Sequence, residues 1–171
     1  MLDVIQKRRS CRNFNGKKVE PEKIKEIVNA GLLAPSGMNK QTPVIIAISD
    51  KETRDKLVKL NAKGGRWGDD FDTFYGAPVV LLVIAKKDGL SINDGGACME
   101  NMLLEATNQG LCSCWIHRAD EEIKSKEGRE LLSFTGLNFD EYVGVGHVIL
   151  GYSDSPKYRD KVINDNRAFY R

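Results

Sequence analysis

The run Pro78–Ala85 (PVVLLVIA) holds eight successive residues without a charge or a polar side chain. It is far too short for a membrane helix, which needs roughly 20 apolar residues. Its β-branched character and its length read as a strand buried on both faces. A strand with no polar face needs a layer above it and a layer below it, and the rest of the chain must supply them. Val44–Ile48, Leu111–Ile116 and Val143–Leu150 read as further strands, and Ala168–Tyr170 as a short last one. Helical patterns stand between them, so a layered α/β or α+β arrangement is expected, with periodicity leaving the choice open.

Residues 2–9 read as a short helix ending in basic residues. Pro21 suits the first turn of the next helix. There Ile24, Ile27, Val28, Gly31 and Leu32 follow i, i+3, i+4, i+7, i+8 and form one apolar face. Ala34-Pro35-Ser36-Gly37 ends it and opens a loop. Ser49-Asp50-Lys51-Glu52 is a capping-box pattern for a third helix. The stretch Asn61–Asp72 reads as a Gly- and Asp-rich loop carrying Trp67 and Phe71, able to act as a lid over a pocket. Asn93 or Asp94 can cap a long helix over Gly95–Gln109. Its apolar residues spread around much of the circumference, which places it in the core or against a partner subunit. Gly110 is its natural C-terminal cap, and Asp120 starts a short charged helical region.

With 171 residues and no linker or repeat, one domain spanning residues 1–171 is expected. The net charge of +2 argues against a general nucleic-acid binder. The first ten residues lack the apolar segment of a secretory signal, and no apolar run is long enough to span a membrane. A cytoplasmic protein is expected. Cys11, Cys98, Cys112 and Cys114 form no C-x-x-C pair and have no His at zinc spacing, so they read as buried reduced thiols rather than metal ligands. There is no phosphate-binding G-x-x-x-x-G-K-[ST] loop. Gly144-Val145-Gly146 lies within a strand, and Ile149 stands where a dinucleotide fingerprint needs glycine. No G-x-S-x-G elbow is present. Of two histidines, His147 sits in an apolar strand and reads as structural, which leaves little for a Ser-His-Asp or Cys-His mechanism.

Positive features cluster at the two ends. Lys7-Arg8-Arg9-Ser10-Cys11-Arg12 places four cations and a hydroxyl within six residues. Guanidinium groups match phosphate oxygens in bidentate geometry. In extended conformation Arg8, Ser10 and Arg12 share one face. Lys157, Arg159 and Lys161 form a second basic group. Between them, Pro35–Gln41 is a loop of small donors and amides suited to the polar edge of a planar heterocycle.

In this order the segments resemble the FMN-dependent nitroreductase family. Arg8–Phe14 matches R-R-S-x-R-x-F, Ala34–Gln41 matches A-P-S-x-x-N-x-Q, and Tyr75–Val80 matches Y-G-A-P-V-V. Gln109–Trp115 is similar to the family's L-G-L-x-x-x-W helix end, and Gly151-Tyr152 to its closing G-Y. The resemblance implies an α+β fold, a central mixed or antiparallel sheet flanked by helices, and an intertwined homodimer with FMN at the subunit interface. It implies NAD(P)H as reductant and a small organic acceptor such as a nitroaromatic or quinone, used in ping-pong order. The flavin carries the chemistry, so no catalytic side chain is expected.

By the same resemblance Arg8 binds phosphate or the ribityl chain, Arg12 lies near N1 and the C2 carbonyl, and Ser10 and Arg9 complete the motif. Pro35, Ser36, Gly37 and Asn39 approach the flavin from the other subunit. Trp115, Ile116, His117 and Arg118 lie beside the ring, where backbone donors dominate. Arg159 and Lys161 match the phosphate ligands, with Lys157 an alternative. Trp67, Phe71 and Phe74 are candidate pocket walls. Thr42-Pro43 replaces the family's frequent Pro-Trp. His117-Arg118 stands where a glycine is frequent, which leaves open the local hydrogen bond to the ring. The chain is also short, without room for a helical excursion over the substrate pocket. Alternatives are another flavin-dependent reduction, such as reductive dehalogenation, or a non-enzymatic module in which KRRSCR is a nucleic-acid arm or the flavin serves a sensor.

Overall fold

The structure is a computed structural model that describes every residue except Arg66, Trp67, Asp69 and Asp70. The pocket-wall expectation for Trp67 lies outside the described residues. In chain order the helices are α1 (Asp3–Lys7), α2 (Pro21–Leu32), α3 (Lys51–Gly65), α4 (Ser91–Asn108), α5 (Ala119–Lys124) and α6 (Lys126–Leu131). The strands are β1 (Pro43–Ile48), β2 (Val79–Lys86), β3 (Cys112–Ile116) and β4 (Tyr142–Gly151).

The strands form one sheet in the order β1-β2-β4-β3, with every neighbouring pair antiparallel. The β2 run is buried along its length up to Lys86. Its alternation feeds two cores. Val80, Leu82 and Ile84 join Leu57 and Val58 of α3 and Ile123 of α5 on one face. Val79, Leu81 and Val83 join Ile27 of α2 and Cys98, Met99 and Met102 of α4 on the other. The result is an α+β fold with helices on both faces of an antiparallel sheet. No helix among the described residues is long and apolar enough to cross a membrane.

Several boundaries differ from the sequence reading. α1 ends at Lys7 because Arg8 turns to extended backbone. In α2, Leu32 is exposed, so the apolar face closes at Gly31. α3 is capped by Asp50, whose Oδ1 accepts the Thr53 N–H at 2.8 Å, rather than by Ser49. α3 also runs on to Gly65, so residues 61–65 are helical instead of loop. Leu57, Val58, Asn61 and Ala62 are its buried face at helical spacing, and that burial outweighs the Gly-rich ending. α4 starts at Ser91, and neither Asn93 nor Asp94 caps it. Residues 168–170 form no strand and are exposed. The cap at Gly110 stands: φ is +73°, and Leu111 N–H returns to the Ala106 carbonyl at 2.8 Å.

Two features place the candidate site. The segment after α1 lies along the free edge of β3, with Ser10 bridged in parallel to Ser113 and Cys11 N–H donating to the Ser113 carbonyl at 2.8 Å. The chain beyond β4 returns over that segment. Asn13 Nδ2 donates to the Ser155 carbonyl at 3.2 Å, Asn15 Nδ2 to Asp154 Oδ1 at 2.8 Å, and Lys161 Nζ to the Ile5 carbonyl at 3.3 Å. Two basic segments more than 140 residues apart in sequence are thereby brought side by side.

Candidate active site

A cavity of about 510 Å³ opens between these segments. Arg8, Arg9, Ser10 and Arg12 form one wall; Lys157, Arg159 and Lys161 form the other, with Tyr158 and Asp160 between them. Six cations thus face one carboxylate. Arg8 is drawn toward Glu100 at 3.6 Å; Arg12, Lys157 and Arg159 have no ion pair with a described residue. Such a set suits a multiply charged anion, since guanidinium groups bind phosphate oxygens in pairs. The alternation expected for Arg8, Ser10 and Arg12 is visible in the burial of Cys11, which faces the other way. Arg9 nevertheless reaches the same cavity.

The Cys11 thiol is pushed up to about 11 by burial, and burial likewise raises Cys114 against the opposing pull of Arg12. Both are protonated thiols at neutral pH, not nucleophiles. All four cysteines are free and buried, as the spacing suggested. Cys112 Sγ lies 3.4 Å from the Tyr158 hydroxyl and seats the returning segment; burial raises that phenol above its ordinary range.

A smaller cavity of about 250 Å³ adjoins the first, and Arg12 lines both. Trp115, Ile116, His117 and Arg118, at the end of β3 and just after it, form one side of it. Phe71, Thr73 and Tyr75 form the opposite side, with Asn61 of α3 between. Thr73 Oγ1 is buried and has no hydrogen-bond partner among the described residues. An uncompensated buried hydroxyl carries a cost that a polar ligand edge would relieve. Phe71 borders this cavity, but Phe74 does not: it is fully buried in the core, 5.3 Å from the His147 ring. His147 is structural as expected, fully buried with Nε2 2.7 Å from Glu122 Oε2.

Pro35, Ser36, Gly37 and Asn39 reach neither cavity within one chain. The loop has a fixed shape all the same. Gly37 N–H donates to both carboxylate oxygens of Asp94 at 3.1 Å, and Ser36 Oγ accepts the Gln41 N–H at 2.9 Å. Met38, Asn39 and Gln41 all have φ near +53°, a left-handed conformation that costs non-glycine residues energy. A Cβ on Gly37 would lie 2.3 Å from Leu90 Cδ1, the end of an exposed side chain just before α4 that must swing aside for any larger residue.

Asn61, Thr73, Tyr75 and Tyr158 line the cavities without having been expected to. Asn61 had a sequence signal, since it shares the i, i+4 spacing of Leu57, and Tyr75 opens the Tyr75–Val80 motif; Thr73 and Tyr158 had none.

The sequence model of the Nitroreductase family matches residues 5–152. The chain belongs to the nitroreductase family. The fold is shared end to end with a nitroreductase with bound FMN from Bacteroides fragilis, at a TM-score of 0.87, 25% identity and complete coverage of both chains. An FMN-dependent nitroreductase from Clostridium difficile is 30% identical at a TM-score of 0.74, covering 98% of this chain and 94% of its own. An FMN reductase [NAD(P)H] of Bacillus subtilis is 32% identical over 125 residues, which is 72% of this chain and 45% of that protein. In this nitroreductase-family chain the cationic cavity is therefore built from the start of the matched region and from the segment just beyond its end.

Proposed function

We propose that this chain is an FMN-dependent oxidoreductase that passes electrons from NAD(P)H to a small organic acceptor, a nitroaromatic or quinone being the expected class. One observation carries the reading. The anion cavity and the aromatic-walled cavity share Arg12, so a single ligand with a phosphate at one end and a planar polar ring at the other fits both. FMN is such a ligand, and family relatives hold it. Arg8, Arg9, Arg159 and Lys161 would take the phosphate end, with Ser10 donating beside them. Arg12 would face the polar edge of the ring, where its fixed positive charge favours a reduced, anionic flavin. Trp115, Ile116, His117 and Arg118 would flank the ring. When bound, FMN supplies a two-electron centre that accepts hydride from the nicotinamide and releases the electrons to the acceptor in a second half-reaction.

The working unit in this reading is a homodimer of one-domain chains covering residues 1–171. Leu32, Leu33 and Met38 are exposed at the end of α2 and in the following loop, and Leu90 and Ile92 at the start of α4. That apolar surface favours association with a second copy. It would also let Pro35, Ser36, Gly37 and Asn39 complete the site of the partner. Four unpaired thiols suit the reducing cytoplasm. The test is the visible spectrum of the purified protein before and after anaerobic NADH or NADPH. A flavin band that bleaches and returns when a quinone or nitroaromatic is added supports the proposal. A colourless protein that takes up no added FMN refutes it.

A further inference from the structure

Beneath the smaller cavity lies a buried polar chain that the proposed chemistry does not use. Asn61 of α3, Glu122 of α5 and His147 of β4 are all nearly or fully buried. Asn61 Nδ2 donates twice, to Glu122 Oε1 at 2.6 Å and to the His117 carbonyl at 2.8 Å. The other carboxylate oxygen, Glu122 Oε2, lies 2.7 Å from His147 Nε2. His147 Nδ1 lies 3.3 Å from the Ile116 carbonyl. A carbonyl only accepts, so Nδ1 carries a proton, and the Nε2–Oε2 contact holds a further one between imidazole and carboxylate. The chain is thus satisfied at every link, which is the condition under which buried polar groups add rigidity.

Its two free ends both seize backbone carbonyls of one short segment, those of Ile116 and His117. In a planar trans peptide the N–H points opposite to the C=O. Holding these carbonyls toward the buried chain therefore turns the N–H groups of His117 and Arg118 away from it, on the segment that walls the cavity. Neither N–H has a hydrogen-bond partner among the described residues. Arg118 follows with φ +85°, a left-handed conformation that a non-glycine residue holds only under constraint. The next turn is fixed too, because Glu122 N–H returns to the Arg118 carbonyl at 3.2 Å.

We propose that Asn61, backed by Glu122 and His147, is the positioning residue that orients the His117 and Arg118 amides as donors to the ring edge of the bound flavin. The inference rests on the function proposed above and adds a mechanism to it. His117-Arg118 supplies no glycine at the point where the backbone must take a left-handed turn. The buried chain imposes on ordinary residues the conformation that a glycine would adopt freely.

The test compares full-length wild type with Asn61→Ala and Glu122→Gln in two measurements. Hydrogen–deuterium exchange of the 112–121 peptide is followed without flavin, and FMN affinity is followed by flavin fluorescence. Asn61→Ala should speed exchange in that peptide, while peptides from β2 and α4 keep the wild-type rate. It should also weaken FMN binding about tenfold, the equivalent of about 1.4 kcal/mol. Glu122→Gln keeps the size and an oxygen acceptor for Asn61, so it should hold both readings within about threefold of wild type, a difference of under 1 kcal/mol. Unchanged exchange at 112–121 in Asn61→Ala overturns the proposal. Faster exchange with unchanged FMN affinity overturns it as well, as does loosening spread evenly over the whole protein. A wild type that takes up no FMN is seen before any variant is compared; it refutes the functional reading, and with it the ligand half of this inference.

Discussion

Gly144→Ala tests the seam that carries the candidate site. Gly144 lies in β4 directly beneath the start of α5, and its N–H donates to Asp120 Oδ1 at 3.1 Å. A Cβ at this position would fall 2.1 Å from Asp120 N and 2.3 Å from the Ala119 carbonyl carbon. Both are backbone atoms, and the overlap is more than an ångström deep. No side-chain rotation relieves it, so α5 must lift away from the sheet. Lifting α5 also strains the Glu122–His147 contact one turn further on. Overpacking of a core costs typically about 1–3 kcal/mol, and a backbone-to-backbone clash belongs at the upper end of that range. For a chain of this size each kcal/mol lowers the melting temperature by about 2–4 °C. The expected loss is therefore about 6–12 °C, from about 3 kcal/mol at that rate. Thermal unfolding followed by far-ultraviolet circular dichroism, on flavin-free protein, reads this directly. A variant melting within 1 °C of wild type, a margin well below the roughly 2–4 °C per kcal/mol scale, would refute the close approach of α5 to β4 and the geometry built on it.

Two further outcomes follow from the same structure. Burial raises the Cys11 and Cys98 thiols from the usual 9.0 to about 11. The native state therefore keeps these protons where the unfolded chain loses them, and stability is full below pH 9 and falls as pH rises toward 11. Urea midpoints across that window check the sign, and replacing both thiols by alanine should flatten the slope. In the proposed binding mode Arg159→Ala would remove one charge-assisted contact to phosphate, worth about 1.5–3 kcal/mol. FMN affinity should fall by at least about tenfold while riboflavin affinity, measured in parallel by fluorescence, stays unchanged. Equal losses for the two flavins would move Arg159 away from the phosphate.

Much of this architecture was visible along the chain itself. The β2 run, the α2 stripe around Ile27 and Gly31, and the Gly110 cap depend on residues within a turn or two of one another, and such local preferences survive into the fold. The basic motif at Arg8–Arg12 was legible for the same reason, because side chains alternating on an extended segment share a face wherever that segment lies. What escaped the linear reading depends on contacts across long separations. Asn61 falls within α3 because Leu57 and Val58 are buried against the sheet, a gain that outweighs a glycine-rich end. Asp94 leaves its own helix start to bind Gly37, more than fifty residues away. Phe74 is core rather than pocket because His147 and the sheet face close over it. The cationic cavity exists because β3 pairs with the Ser10 segment and the chain end folds back across it. Composition and spacing could name the groups able to bind an anion, but their convergence is set by strand pairing and burial, which are properties of the packed molecule and not of any one stretch of it.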